Sequence, residues 1–492
     1  MIFFMAKMKY WNGITWETLD AKDADTIDGK HFTDIQNDAQ SRVDDHAIRR
    51  ATLGTLGHVQ HAVLVAMLTA DAWQGTTPPY SLSVTIDGDT FTKLSNPSTL
   101  PVDHGYGVAF DPTGTYLAVT HFGSPYITIY KRNGDTFTKL SNPPTLPTGI
   151  GHGAAFDSTG TYLAVAYYGR PRITIYRQSG DTFTNLSNPS TLPAGAGWGI
   201  AFDSTGTYLA VAHTSSPYIT IYKQNGDTFT KLSDPSILPT GTGNGVAFDP
   251  TGTYLAVAHD SSPYITIYKR NGDTFTKLSD PSTLPTSDGY GVAFDPTGTY
   301  LAVTLYSSPY ITIYKRSGDT FTKLSDPSTL PTSTGWGIAF DPTGTYLAVA
   351  LYSSPYITIY KRNGDTFTKL SDPSALPAGA GWGIAFNPTG TYLAVAHDSS
   401  PYITIYKRNG DTFTKLSDPS ALPTGTGYVV AFDPTGTYLA VAHYSSPYIT
   451  IYLASVCLKT NLMSDVSIAE RAGYAKESGV AGEYKKIVVI FR

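Results

Sequence analysis

The sequence predicts an all-β fold, an eight-bladed β-propeller of four-stranded repeats, and three observations carry that prediction. The block Ala-Phe-Asp-Pro-Thr-Gly-Thr-Tyr-Leu-Ala-Val recurs eight times with small changes, its Phe at 110, 156, 202, 248, 294, 340, 386 and 432, a constant spacing of 46. A period of about 20–50 residues marks solenoids and propellers. Tyr (35), Gly (46) and Pro (33) are prominent and charged residues make up only 15% of the chain, as suits short strands joined by tight turns. Each period also holds four short runs rich in β-branched and aromatic residues, the content of one propeller blade. Seven blades plus a stray repeat is the alternative count.

Within a repeat the elements follow in order. Strand a is Gly-Val-Ala-Phe, residues 107–110, and the turn Asp111-Pro112-Thr113-Gly114 places Pro and Gly where a tight turn wants them. Strand b covers 115–121 and strand c 126–131, both apolar on two faces, as a sheet between neighbouring sheets requires. Asn133-Gly134-Asp135 is a hairpin signal, and strand d covers 136–140. The order of the elements predicts how the ring closes. A strand d at 90–94 precedes the first strand a, and the last repeat stops after strand c at Tyr452. The N-terminal strand d therefore completes the last blade and leaves no open edge. Residues 80–86 align with a strand c but diverge from it.

The run Phe110-Asp111-Pro112-Thr113-Gly114-Thr115-Tyr116-Leu117-Ala118-Val119 resembles the strand–turn–strand signature of WD-repeat-like and lactonase-like (Tyr-Val-Thr-Asn) propellers. The Trp-Asp dipeptide of true WD repeats and the Tyr-Val-Thr-Asn motif itself are both absent. The resemblance therefore implies the fold and no particular activity.

Near-identical repeats make their differences conspicuous. Strand a is introduced by Gly-x-Gly, or Gly-x-Val in the last copy, and x is Tyr106, His152, Trp198, Asn244, Tyr290, Trp336, Trp382 or Tyr428. The second variable patch follows strand b and includes Phe122, Tyr168, Asp260, Tyr306, Tyr352, Asp398 and Tyr444. The loop before Gly-x-Gly varies too, as in Val102-Asp103-His104 against Thr148-Gly149-Ile150. Successive strands of an up-and-down blade alternate direction. The a–b and c–d turns therefore share one end, and the b–c and d–a connections share the other. Both variable patches lie on the second end, so the fifteen named residues are expected to form a ligand-binding face at the channel mouth. Tyr and Trp supply contact area with few rotors to freeze. Their ring faces pack on sugars, and His, Asp and Asn offer hydrogen bonds. The bland reading is that these loops tolerate change, or that the aromatics plug the channel.

The flanks differ in character. Residues 1–78 read as an attachment or stalk-like segment, 79–452 as the propeller, and 453–492 as a C-terminal tail ending in a strand at 486–491. In 33–50 a stripe of Ile35, Ala39, Val43 and Ala47, joined by Phe32, predicts a helix that could pack on a second copy or on the propeller. Ala24-Asp25-Thr26-Ile27-Asp28-Gly29-Lys30-His31-Phe32 and Gly473-Tyr474-Ala475-Lys476-Glu477-Ser478-Gly479 resemble short elements of bacteriophage tail-fibre and minor structural proteins. That resemblance implies a virion or prophage component, in the tail or an appendage (cytoplasmic before assembly). Its N-terminal segment would join other virion proteins.

Other chemistries find little support. The net charge of −5 with no basic block argues against nucleic acid. No apolar run reaches the roughly 18 residues of a membrane span, and the apolar residues 1–5 are too few for a secretory signal. The single cysteine, Cys457, excludes an internal disulfide. No Glu occurs between Pro79 and Tyr452, so paired-carboxylate chemistry would rest on Asp alone, and the Asp of the repeated turns reads as a turn former. His121, His213, His259, His397 and His443 occupy equivalent positions in different blades, too far apart for one metal ion at about 2.0–2.1 Å. No nucleophile elbow or phosphate loop appears, so no catalytic residue, metal or cofactor is expected. The Lys-Arg pairs Lys131-Arg132, Lys269-Arg270 and Lys361-Arg362 read as a solvated rim on the constant face, with docking of a partner as the sharper possibility. The sequence thus points to a binding head that recognises a glycan or protein receptor on a cell surface. A lactonase-like or lyase propeller enzyme and a protein-interaction scaffold are the alternatives.

Overall fold

A computed structural model describes residues 83–461 and four short strands nearer the N-terminus. The chain divides into two compact units, Met1–Leu53 and Gly54–Arg492. In the first, Lys9–Trp11 pairs with Trp16–Thr18 and Thr26–Ile27 pairs with Lys30–His31, both antiparallel. The helix expected over 33–50 and the strand over 486–491 lie outside the described residues.

The second unit contains eight four-stranded antiparallel sheets, one per repeat. In blade 1 the strands are Gly105–Phe110 (a), Tyr116–His121 (b), Ile127–Asn133 (c) and Thr136–Lys139 (d). Blades 2 to 8 follow every 46 residues, their strands a beginning at Gly151, Gly197, Gly243, Gly289, Gly335, Gly381 and Gly427. The register sets Ala109 opposite Ala118 and Leu117 opposite Tyr130.

The alternation of side chains along strand b builds the ring. Leu117 and Val119 point to one side of their sheet, Tyr116 and Ala118 to the other. Tyr116, Ala118, Ile127 and Ile129 of blade 1 pack on Leu163, Val165, Tyr167, Tyr176 and Phe183 of blade 2. The bulky Leu and Val face of each blade thus meets the preceding blade's face of small Ala and flat Tyr. Leu117, Ala118 and Val119 are fully buried, as are their equivalents in every blade. Burial of this kind contributes about 1.5–3 kcal/mol per large apolar side chain.

A polar latch repeats beside the apolar seam. The Tyr116 hydroxyl donates to the Gly180 carbonyl and to Asp181 at the c–d turn of blade 2, and the pattern recurs through Tyr438, which reaches Gly134 and Asp135 of blade 1. Lys131 pairs with Asp181, and Arg132 stacks its guanidinium 4.6 Å from the Tyr438 ring. The Lys-Arg pairs of the constant face are therefore engaged between blades.

Closure follows the expected route. Blade 8 is ordered Gly427–Phe432, Tyr438–His443, Ile449–Asn461 and then the N-terminal strand Ser83–Lys93. Its apolar residues join those of blade 1, with Val108, Leu117 and Val119 in one cluster with Tyr438, Ala440 and Ile449. One feature departs from expectation. Ser455 pairs with Thr90 where other blades turn, and the two strands continue, past a bulge, to Asn461 opposite Ser83. Residues 83–86 therefore extend strand d and do not form a strand c. A two-stranded ribbon leaves blade 8 at the end of the disc that carries the a–b and c–d turns.

Candidate functional site: a loop face and an aromatic collar

The b–c and d–a loops meet at one rim. The Phe122 N–H donates to the His104 carbonyl, Tyr168 to Ile150, Asp260 to Thr242, Tyr306 to Asp288, Tyr352 to Thr334, Asp398 to Ala380 and Tyr444 to Thr426. Each bond joins the residue after strand b to the loop before strand a of the same blade, so the two variable patches of the sequence are neighbours. Every b–c loop also holds a non-glycine at positive φ, Tyr126 at 65° for example, whose N–H bonds back to the Gly123 carbonyl. L-residues seldom adopt that conformation, so these loops are tightly constrained. The Ser-Pro-Tyr block gave no sign of this, because nothing in its composition distinguishes it from an ordinary strand start.

The side chains on this rim divide into three groups. Phe122, Tyr168, Tyr306, Tyr352 and Tyr444 stand 43–59% exposed. Asp260 and Asp398 are exposed too, each accepting a bond from the next serine hydroxyl. The residues just before them run inward. His121, His213, His259, His397 and His443 are fully buried, and Nε2 of each lies 2.9–3.0 Å from the hydroxyl of a strand-c threonine in its own blade. Burial lowers all five from 6.5 to about 4, so they are neutral interior groups at physiological pH.

The Gly-x-Gly residues form a collar around the channel. His152 stacks on Trp198 at 4.5 Å, Tyr290 on Trp336 at 4.5 Å, and Trp336 lies 5.0 Å from Trp382. Trp382 meets Tyr428 edge-on at 6.0 Å, Tyr428 lies 5.2 Å from Tyr106, and Tyr106 lies 5.9 Å from His152. Only Asn244 interrupts the aromatic series, and its amide donates to the Gly289 carbonyl. Trp198 is 46% exposed, while the other seven are partly buried. The glycines allow this crowding. A Cβ on Gly291 would lie 2.6 Å from the Trp336 carbonyl, and one on Gly337 would lie 2.7 Å from that of Trp382. The sequence placed these residues at the mouth but could not show that they touch one another across blades.

The electrostatics of the collar are those of neutral groups. Burial pushes the Tyr106, Tyr290 and Tyr428 hydroxyls up, aided at Tyr290 by Asp288, Tyr306 and Asp260. Burial also lowers His152. At the ring-closing seam, His104 of blade 1 stacks on Tyr444 of blade 8, with centroids 3.8 Å apart. His104 was legible only as part of a variable loop.

The opposite mouth has different chemistry. A cavity of about 700 Å³ is lined by Phe110, Asp111 and their equivalents around the ring, among them Phe432, Asp433 and Asn387. These acids are turn formers. Asp111 Oδ1 accepts the Tyr116 N–H, Oδ2 accepts the Thr113 hydroxyl, and its carbonyl accepts the N–H of Gly114, which sits at φ 67°. The seven carboxylates are nearly fully buried and each accepts the N–H of the tyrosine five residues on, as the Asn387 amide oxygen does in blade 7.

Comparison with known proteins agrees with the architecture. The family model "Lactonase, 7-bladed beta-propeller" matches residues 96–286, well under half of the chain. Comparison with curated proteins gives no match. Among solved structures, the chain is similar to the Dos1 propeller at 11% identity and TM-score 0.56, covering 75% of this chain and 97% of that one. It is also similar to Chaetomium thermophilum Sqt1 bound to the N-terminus of ribosomal protein L10, at 16% identity and TM-score 0.56, covering 75% of this chain and all (100%) of that one. At such identities the likeness extends to the fold alone.

Proposed function

We propose that the propeller is a recognition head that binds a glycan or receptor on a cell surface through its b–c and d–a loop face, as part of a phage-type tail or appendage protein. The observation that carries this reading is the polarity of the disc. Residues that differ between blades emerge on one face, whereas the ribbon of Ser83–Lys93 and Ile449–Asn461 leaves from the other. Such a disc can be held from behind and present its variable side outward. Exposed Tyr and a Trp-containing collar supply the rigid aromatic contact area of a recognition surface. The short flanking runs that resemble tail-fibre elements support the setting.

A glycan array and cell-binding assay with the full chain test this reading. Binding without turnover, weakened when Tyr306 and Tyr352 are changed to Ala, supports it. Binding that survives those changes, or no binding to any glycan or cell surface, overturns it.

The match to the lactonase model favours a second reading, an enzyme with its site at a channel mouth. Ring-opening hydrolysis would need an unengaged base or nucleophile particular to one blade. The carboxylates of the constant face are engaged in turns, and the buried histidines repeat in five blades. Turnover of a lactone panel, abolished by a single substitution, would establish this alternative.

A further inference from the structure

One b–c loop departs from the other seven, and the departure adds charge. Seven blades read Ser-Pro-Tyr at this turn, from Ser124-Pro125-Tyr126 to Ser446-Pro447-Tyr448, whereas blade 2 reads Arg170-Pro171-Arg172. No other b–c or d–a loop holds a lysine or arginine. Arg170 is exposed, and Arg172 is half-buried with its Nη1 donating to the Tyr168 carbonyl. Cations on strands c and d are taken up within the ring. Lys131 pairs with Asp181, Arg177 with Asp227 and Lys231 with Asp234, and Arg132 and Arg270 lie over tyrosine rings. Arg170 and Arg172 meet no carboxylate within ion-pair distance among the described residues.

The surroundings leave that charge unopposed and set aromatic surface beside it. Blades 1, 4, 5 and 7 place Asp103, Asp260, Asp288 and Asp398 in their loops, whereas the loops of blades 2 and 3 contain no acid. Tyr168 is 59% exposed, and its N–H bond to the Ile150 carbonyl ties the arginine loop to the segment that carries His152. His152 stacks on Trp198, the one exposed member of the collar. Two like charges on one short loop repel each other and lack an internal partner. The planar fork of each guanidinium matches a carboxylate or phosphate with paired, charge-assisted hydrogen bonds, so an anion relieves the repulsion and a neutral ligand does not. Exposed Tyr and Trp ring faces in the same sector suit a sugar that carries the anion.

We infer that blade 2 holds an anion subsite, in which Arg170 and Arg172 take the carboxylate or phosphate of an acidic sugar while Tyr168 and Trp198 offer their ring faces to the sugar itself. The rest of the glycan crosses the channel mouth toward Tyr306 and Tyr352. This assignment rests on the loop face being the glycan-binding face.

The test uses the full chain on a panel of neutral hexose-terminated, sialylated, uronate-terminated and phosphorylated oligosaccharides, followed by calorimetry with the best binder at low and high salt. Acidic members should bind more tightly than their neutral counterparts by roughly tenfold or more. The carboxylate and phosphate arms then show which group the arginines take. Wild-type affinity should fall as salt rises, a readout that needs no variant to fold. R170S and R172Y restore the residues that the other seven blades carry at this turn, so both should fold with an unaltered melting temperature. Each should weaken binding of the acidic glycan by roughly tenfold and flatten its salt dependence. Preference for neutral sugars, or acidic binding that R170S and R172Y leave unchanged, would overturn the subsite, and the glycan-binding face would stand if changing Tyr306 and Tyr352 to Ala still weakened that binding. Absence of binding to every sugar would remove both.

Discussion

Lys407 of blade 7 holds Asp89 at 2.5 Å, and Asp89 belongs to the strand that the N-terminal part of the chain contributes to blade 8. The equivalent acids elsewhere are half exposed, Asp181 at 51% and Asp273 at 49%, whereas the Asp89 side chain is 3% exposed because the ribbon runs on past it. Breaking a buried pair leaves a charge without its partner, which is costlier than losing an exposed one. Removing Lys407 strands the buried Asp89 carboxylate, so K407A should lower stability by about 2–4 kcal/mol, while K131A, whose partner Asp181 is half exposed, leaves the melting temperature nearly unchanged. Thermal unfolding of the two variants side by side checks this, and equal effects would show that the closing strand is held no more firmly there than any blade.

Removing the closing strand should have a larger consequence than removing what precedes it. A chain beginning after Lys93 exposes the edge of Ile449–Ala454 in blade 8 and leaves Phe91 absent from its place beside Tyr392 and Phe432. Open apolar edges pair with other chains. Size-exclusion chromatography should show aggregates for a chain lacking residues 1–93 and a defined species for one lacking 1–82.

The buried histidines make stability depend on pH in a defined window. In the unfolded chain they take up protons near pH 6.5, in the folded protein only near 4. The stability of the neutral folded form is therefore complete above 6.5 and is lost as pH falls toward 4, by up to about 3 kcal/mol per histidine. Blades 5 and 6 place Leu305 and Leu351 at the same position, fully buried. H213L should accordingly fold and lose less stability than wild type between pH 7 and 5, measured by urea midpoints. An unchanged slope would contradict the assignment of His213 as a buried titrating group.

The acids of the constant mouth can be separated from a catalytic role by one pair of variants. Asp341 Oδ1 accepts the Tyr346 N–H and Oδ2 the Thr343 hydroxyl, whereas in blade 7 Asn387 accepts from Tyr392 and donates to Thr389. D341N should change stability little, and D341A should cost about 1–3 kcal/mol for the buried donors left unpaired. A large loss in D341N would mean that charge, and not turn geometry, matters at this mouth.

Much of the ring was legible in the sequence because the constraints that build it repeat. The 46-residue spacing gives the blades, and a leading strand d with a trailing strand c gives the closure. Strand parity places Tyr306 and Tyr290 on the same rim, and they lie 6.3 Å apart. Where a single residue's direction mattered, the pattern was silent. Strands b are buried on both faces, so alternation could not distinguish the interior His121 from the exposed Phe122. The ribbon from Ser83 to Asn461 was hidden because its two strands leave the repeat consensus. The contact between Trp336 and Trp382 joins residues one full repeat apart, a distance that composition does not encode.

The latch from Tyr116 to Asp181 recurs at successive junctions with the same sequence offset, so each blade offers its neighbours nearly the same mating surfaces. Blades are therefore interchangeable cassettes. An exchange of whole 46-residue units would preserve these junctions and change only the order of the collar residues around the channel. The residues at the channel mouth can therefore differ from blade to blade while the surfaces that hold the ring together stay the same.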